Sequence, residues 1–109
     1  MILKIDTTDT QNITVVLQDK KNCITQVLSQ SQKKGTQVLL PLINKMLRKN
    51  KLSLKNIDQI KVNPGPGSFT GTRVGVAVAN ALGFALSVPV NGEKDKIIVP
   101  VYEKSKFDL

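Results

Sequence analysis

The sequence predicts a single α/β domain in which two main helices cover a mixed sheet. Three observations predict it: short apolar and β-branched runs open the chain, a segment with helical spacing follows, and a second strand-to-helix step comes after it. A strand, a helix and another strand in succession favour parallel pairing by a right-handed crossover. At 109 residues, the chain has room for one domain and few elements beyond its core.

The first part of the chain predicts an antiparallel meander of three strands. We expect these strands at Met1 to Asp6, Asn12 to Gln18 and Cys23 to Gln30. The link at 19–22 is short and polar, as in a hairpin turn.

An amphipathic helix is predicted to begin near Thr36. Its apolar residues follow the spacing i, i+3, i+4, i+7 and i+8. They are Leu39, Leu42, Ile43, Met46 and Leu47. Basic side chains crowd its far end, where they offset the helix dipole and form the densest basic patch of the chain. They are Lys45, Arg48, Lys49 and Lys51.

A second helix is expected from about Ser68 to Leu86, after a strand at Ile60 to Val62, with Ser68 or Thr70 as its N-cap. Small residues recur every four positions in this helix and therefore share one ridge. They are Gly71, Gly75, Ala79 and Gly83. Interior glycines cost roughly 1 kcal/mol each relative to alanine, so something must pack closely on the ridge.

Two interpretations of the ridge remain open: it lies on the chain's own sheet, or it forms a subunit interface. The second is favoured because a helix that is apolar nearly all round needs cover on two sides. The predicted interface residues are Gly71, Arg73, Val74, Gly75, Val78, Ala79, Leu82 and Gly83.

The end of the chain predicts one more strand, Ile97 to Tyr102, followed by a tail at 103–109. The whole chain, 1–109, is expected to form one lobe of the ribonuclease-H-like kind. It has no apolar run of about 18 residues and no signal-peptide pattern at its start, so a cytoplasmic location without membrane contact is expected.

The composition excludes several kinds of chemistry. The chain has no histidine and one cysteine, so we expect no zinc site, no histidine-based triad and no internal disulfide, and we nominate no catalytic residue, metal or cofactor. The net charge of +8 favours contact with a polyanion such as RNA or an acidic protein, although a solvated basic surface explains it equally well.

A small phosphate-loop nucleotide-binding protein is the alternative function. The run 65–71 enters a helix through glycines, but it lacks the Lys-Ser or Lys-Thr of a Walker A loop and the dinucleotide fingerprint. Polar residues at the end of the first strand could also bind the phosphate, unless they form a turn that caps the strand. The candidate phosphate-binding residues are Asp6, Thr7, Thr8, Gly67 and Ser68.

Three stretches together resemble the N-terminal lobe of the TsaB (YeaZ) family. They are the Asp-Thr-Thr at 6–8, the Leu-Leu-Pro at 39–41 and, above all, the block NPGPGSFTGTRVG at 63–75. The resemblance covers residues 1 to about 92 and implies an actin-like, ribonuclease-H-related lobe. It also implies a non-catalytic subunit that pairs with TsaD, or with a second copy, in making threonylcarbamoyladenosine beside the anticodon of ANN-decoding tRNAs.

The resemblance implies further partners and shows two departures. A TsaE-like ATPase would join the larger complex, and tRNA would be contacted indirectly or through the basic surface. Gly35 stands where the family has a histidine, so that residue's role would be lost or changed here. The second lobe is missing, whereas Pro100-Val101-Tyr102 resembles the family's Pro-x-Tyr ending, so we expect a minimal form of the N-terminal lobe. A self-associating homodimeric scaffold is the remaining alternative.

Overall fold

The computed structural model describes residues 1–9, 11–19, 21, 24–31, 36–67 and 69–101. Its elements are β1 (Ile2–Asp6), β2 (Asn12–Gln18), β3 (Ile24–Ser31), α1 (Thr36–Lys49), a short 3-10 helix (Leu54–Asn56), β4 (Gln59–Val62) and α2 (Phe69–Leu86). The four strands form one sheet in the order β3-β2-β1-β4. β1 is antiparallel to β2 and parallel to β4, and β2 is antiparallel to β3, so the predicted α/β fold with a mixed sheet is confirmed.

One face of the sheet forms the core because apolar residues alternate along its strands. In β1, Leu3 and Ile5 are buried, whereas Lys4 and Asp6, on the opposite face, are partly exposed. Leu3 pairs with Leu17 on one side and with Ile60 on the other, so the same alternation continues across three strands. Side chains on opposite faces of a strand have a period of two, and the register therefore assembles one apolar face.

Both helices lie on this apolar face. α1 packs across β2 and β3, α2 packs across β1 and β4, and the helices also contact each other. The five apolar residues predicted for α1 are all buried: Leu39, Leu42, Ile43, Met46 and Leu47. The helical spacing in the sequence therefore identified the buried side of α1 correctly.

Both helices end in the same hydrogen-bonded turn. Lys51 follows α1 at φ +55°, where its amide donates to the carbonyl of Arg48 and the amide of Leu52 donates to that of Leu47. Ser87 follows α2 in the same way, also at φ +55°, with the amide of Val88 donating to Gly83. This pattern is the Schellman motif, which satisfies terminal carbonyls without a further helical turn.

The start of α2 agrees only in part with the predicted N-cap. The helix begins at Phe69, so Thr70 is already helical and its assignment as the N-cap was wrong. Ser68 lies outside the described residues. No described helix is long and apolar enough to cross a membrane.

The predicted last strand was wrong over 97–101, the part of it that the structure describes. Val90 makes a single parallel bridge to Ile60, and the chain then turns away. The reason is that the side chain of Asn91 occupies the free edge of β4: its Oδ1 accepts from Val62 N at 2.8 Å, and its Nδ2 donates to Val62 O at 2.9 Å. The backbone groups that a further strand would use are therefore already paired.

Residues 97–101 instead run beside α2. The side chain of Asn80 holds Ile98 by both backbone groups, with Nδ2 donating to Ile98 O at 2.9 Å and Oδ1 accepting from Ile98 N at 3.0 Å. The amide of Val101 donates to the carbonyl of Pro64 at 2.6 Å. This segment thus ties the middle of α2 to the loop that precedes it.

Candidate interaction surface

The small residues of α2 face the chain's own sheet. The hydroxyl of Thr7 donates to the carbonyl of Gly71, at 2.5 Å. A Cβ atom at Gly75 would overlap Thr7 Oγ1 and lie 3.2 Å from Thr7 Cβ, and a Cβ atom at Gly83 would overlap Val90 Cγ2. Glycine is required at these positions because a side chain and a helix backbone approach closely.

This arrangement corrects the predicted interface. Five of its eight residues are buried inside the chain, and a buried residue offers little surface to a second protein while the domain stays folded. They are Gly71, Gly75, Val78, Ala79 and Gly83. Among the other three, Arg73 is exposed, whereas Val74 and Leu82 are partly buried. The ridge therefore packs on the sheet, which was the first of the two open interpretations.

The exposed side of α2 is a different stripe, which we call the open face. Its members recur three or four residues apart, except that the last two are adjacent, so they share one side of the helix. They are Arg73, Ala77, Ala81, Phe84 and Ala85. Phe84 is 90% exposed, which is unusual for a large aromatic side chain. Arg73 was among the predicted interface residues, but the sequence analysis missed the other four, although the alanines at 77, 81 and 85 repeat as regularly as the glycines.

The segment 97–101 extends the open face. Ile98 is anchored by Asn80, and the neighbouring Ile97 and Val99 point outward with 80% and 71% of their surface exposed. Ile97 and Phe84 also line a groove of about 440 Å³ between the end of α2 and the turn before this segment. Contiguous exposed apolar groups of this kind mark interaction sites in soluble proteins.

A second cluster lies where β1 and β4 end. Asp6 Oδ1 accepts from the amide of Thr8 at 3.0 Å and from its hydroxyl at 2.7 Å, and Asp6 Oδ2 accepts from Asn63 Nδ2 at 3.1 Å. Partial burial, the largest single effect, would raise the pKa of Asp6, but the hydrogen bonds from Thr8 and Asn63 together outweigh it. The pKa of Asp6 therefore lies below its usual value, and the carboxylate is ionised at neutral pH.

The structure brings most of the candidate phosphate-binding residues together but gives them other partners. The Thr7 hydroxyl is buried against Gly71, and the Thr8 hydroxyl donates to Asp6. A Cβ atom at Gly67 would overlap the side chain of Thr8 and lie 2.8 Å from its carbonyl oxygen, so this glycine allows two loops to touch. An ionised Asp6 also repels an anion. Phosphate binding stays a prediction, and Ser68 and Gly35 lie outside the described residues.

Comparisons with known proteins agree on one family. The family model for TsaD, the tRNA N6-adenosine threonylcarbamoyltransferase, matches residues 26–94. The TsaB protein of Buchnera aphidicola subsp. Schizaphis graminum is 34% identical over 93 residues, which are 84% of this chain and 43% of the relative. The TsaB protein of Haemophilus influenzae is 33% identical over 90 residues, which are 82% of this chain and 37% of the relative.

A solved structure gives the same result. YeaZ from Pseudomonas aeruginosa superposes with a TM-score of 0.68 and 32% identity, over 82% of this chain and 41% of that chain. Fold and matches together define an actin-like α/β lobe. The chain belongs to the TsaD family and is TsaB/YeaZ-like within it. It spans about two fifths of the length of these three relatives.

Proposed function

We propose that this chain is a non-catalytic subunit in tRNA threonylcarbamoyladenosine biosynthesis that binds a TsaD-type partner through the open face of α2. The family supports the pathway, since the relatives are named tRNA threonylcarbamoyladenosine biosynthesis proteins. The observation that carries the binding role is the open face itself, where Phe84 projects from a stripe of small residues. Small residues let a partner helix approach closely, and an exposed aromatic residue supplies an anchor.

The open face of α2 is too small to form a stable interface by itself. The open face spans twelve residue steps, Arg73 to Ala85, or roughly 18 Å at 1.5 Å per residue. A stable interface buries about 800 Å² on each partner, more than one stripe of this length offers. We therefore include Ile97 and Val99, which continue the apolar surface beside α2.

The proposed role is non-catalytic because the polar residues at the end of the sheet are engaged with each other. Asp6 is held by Thr8 and Asn63, and the chain has no histidine to act as a general base. A TsaE-like ATPase and a tRNA belong to the same proposal as further members of the complex. A second copy of the chain on the open face is the rival scaffold interpretation, and the experiment below separates the two.

The test measures binding of the TsaD-type protein from the same source by calorimetry. Burying Phe84 contributes about 1.5–3 kcal/mol, so Phe84→Ser should weaken the complex about 10- to 100-fold. Leu54→Ser is the matched control, because Leu54 is also an exposed large apolar residue but lies on the 3-10 helix. It should leave the affinity unchanged.

Two results would overturn the proposal. Wild-type protein that binds no TsaD-type partner at micromolar concentration has no such role. If Phe84→Ser binds as tightly as the wild type, the partner uses another surface. The homodimeric scaffold is favoured instead if the wild type self-associates, Phe84→Ser abolishes the self-association and neither protein binds the TsaD-type protein.

A further inference from the structure

The net positive charge of this chain arises from one stretch. Nine of the 16 Lys and Arg residues lie between 20 and 57, and none of the 8 Asp and Glu residues does. The rest of the chain holds seven basic and eight acidic side chains. Surfaces that serve only solubility mix positive and negative side chains. This separation of charge therefore indicates a positive electrostatic potential that attracts an anionic partner.

Five of these cations follow one another along the end of α1 and the short elements after it, a region that we call the basic end. They are Lys45, Arg48, Lys49, Lys51 and Lys55, and all five are exposed. The first three lie on the last two turns of α1 at spacings of three and four residues, where side chains are neighbours. The other two follow in the turn after α1 and in the 3-10 helix.

No ion pair in the described part of the chain neutralises this charge. None of the five cations forms an ion pair with a described carboxylate. Favourable interaction with the helix dipole explains Arg48 and Lys49, which lie in the last turn of α1. It does not explain Lys45, one turn earlier, or Lys51 and Lys55 beyond the helix, because the dipole effect falls off within one turn.

We propose that the basic end binds the phosphate backbone of RNA. Clustered lysines and an arginine recognise phosphates through charge, and binding gains free energy from the counterions that the RNA releases. The five cations are not interleaved with aromatic side chains that could stack on bases, so the contact is to the backbone and independent of sequence. The choice of RNA over an acidic protein rests on the proposed function, in which tRNA is the substrate of the complex.

The basic end is separate from the open face of α2, since the two surfaces share no residue. The two proposals are therefore independently testable, because a variant of the basic end leaves the open face intact.

The experiment measures binding of an unmodified, fluorescently labelled tRNA transcript to the free full chain over a range of salt concentrations. The variant is Lys45→Gln/Arg48→Gln/Lys49→Gln. The control is Lys61→Gln/Lys94→Gln/Lys96→Gln, which removes three exposed cations elsewhere and has the same net charge. Glutamine has nearly the helix propensity of lysine and arginine, and circular dichroism and thermal melts verify that both variants are folded.

The wild type should bind tRNA with an affinity that falls steeply with salt. Each lost phosphate contact lowers the slope of log K against log salt by roughly 0.7–0.9, so the variant should lose about 2–3 units of slope. Its affinity near 0.1 M salt should fall at least ~10-fold, whereas the control should stay within about twofold of the wild type. Binding to the TsaD-type protein should be unchanged in the variant.

Three results would overturn the inference. Equal losses of tRNA affinity in the variant and in the control would mean that RNA binding depends on net charge alone. No tRNA binding by the wild type at 0.05–0.1 M salt, a range that favours phosphate contacts, would mean that the basic end is a solvated surface. Binding of poly-glutamate as tightly as tRNA would favour an acidic protein. A normal TsaD-type complex beside any of these results would leave the proposed function standing.

Discussion

Replacing Gly75 with alanine should destabilise the domain, although alanine is the better helix former. The gain in helix propensity is about 1 kcal/mol. Against it, the new methyl group would overlap Thr7 Oγ1 and approach Thr7 Cβ and Cγ2 at 3.2 and 3.3 Å. Overpacking of this kind costs about 1–3 kcal/mol, and a displaced Thr7 hydroxyl loses its buried hydrogen bond to Gly71, a further 1–3 kcal/mol or so. The free energy of unfolding should therefore fall by about 1–5 kcal/mol.

Urea and thermal unfolding of the wild type, Gly75→Ala, Thr7→Ala and the double variant measure this effect. Each kcal/mol corresponds to about 4–8 °C in the melting temperature of a domain near this size. Thr7→Ala removes the atom in the way, so Gly75→Ala should cost at least ~1 kcal/mol less in that background. Ala81→Gly is the control on the exposed side, with an expected loss of about 1 kcal/mol from propensity alone. A Gly75→Ala variant that is more stable than the wild type would refute the packing of α2 on Thr7.

Three further predictions test other contacts. Asp6→Asn should flatten the dependence of stability on pH. Because the pKa of Asp6 is lowered in the folded state, the stabilisation from its carboxylate is present above about pH 4 and is lost as the pH falls further. Identical pH profiles of stability for wild type and variant would contradict this prediction. Thr72→Val should raise the melting temperature by a few degrees, because the buried Thr72 hydroxyl has no hydrogen-bond partner in the described structure. An unchanged or lower melting temperature would show that the hydroxyl has a partner. Asn80→Ala should speed amide hydrogen exchange at Ile98 about tenfold or more without affecting the buried amides of β1, and equal exchange in both proteins would mean that another contact holds the segment.

Much of the fold could be predicted because its periodicities are local. Alternation in β1, β2 and β4 and the spacing of Leu39, Leu42 and Ile43 each identify a buried side without knowledge of the rest of the chain. The last strand could not be predicted in this way. Whether Ile97 to Val101 joins the sheet depends on Asn91, whose side chain pairs with Val62 at the edge of β4, and such a competing contact leaves no periodic signal.

The candidate site was predicted only in part for a related reason. Regular spacing of Gly71, Gly75 and Gly83 shows that something approaches α2 closely, but not whether the neighbour belongs to the same chain. Thr7 and Val90 answer that question, and both are far from α2 in sequence or lie beyond its end. Once the glycines are known to face the sheet, the helical period places Ala77, Ala81 and Phe84 on the opposite side of α2. The open face is therefore the side of the helix opposite the glycine repeat.

The most direct test of the account is the molar mass, by size-exclusion chromatography with light scattering, of this chain alone, the TsaD-type protein alone and an equal mixture. We expect a new peak in the mixture with the mass of a 1:1 or 2:2 complex. This peak should disappear when Phe84→Ser replaces the wild type at a concentration near the dissociation constant. A mixture that elutes only as its separate components would contradict binding of this partner by the open face of α2.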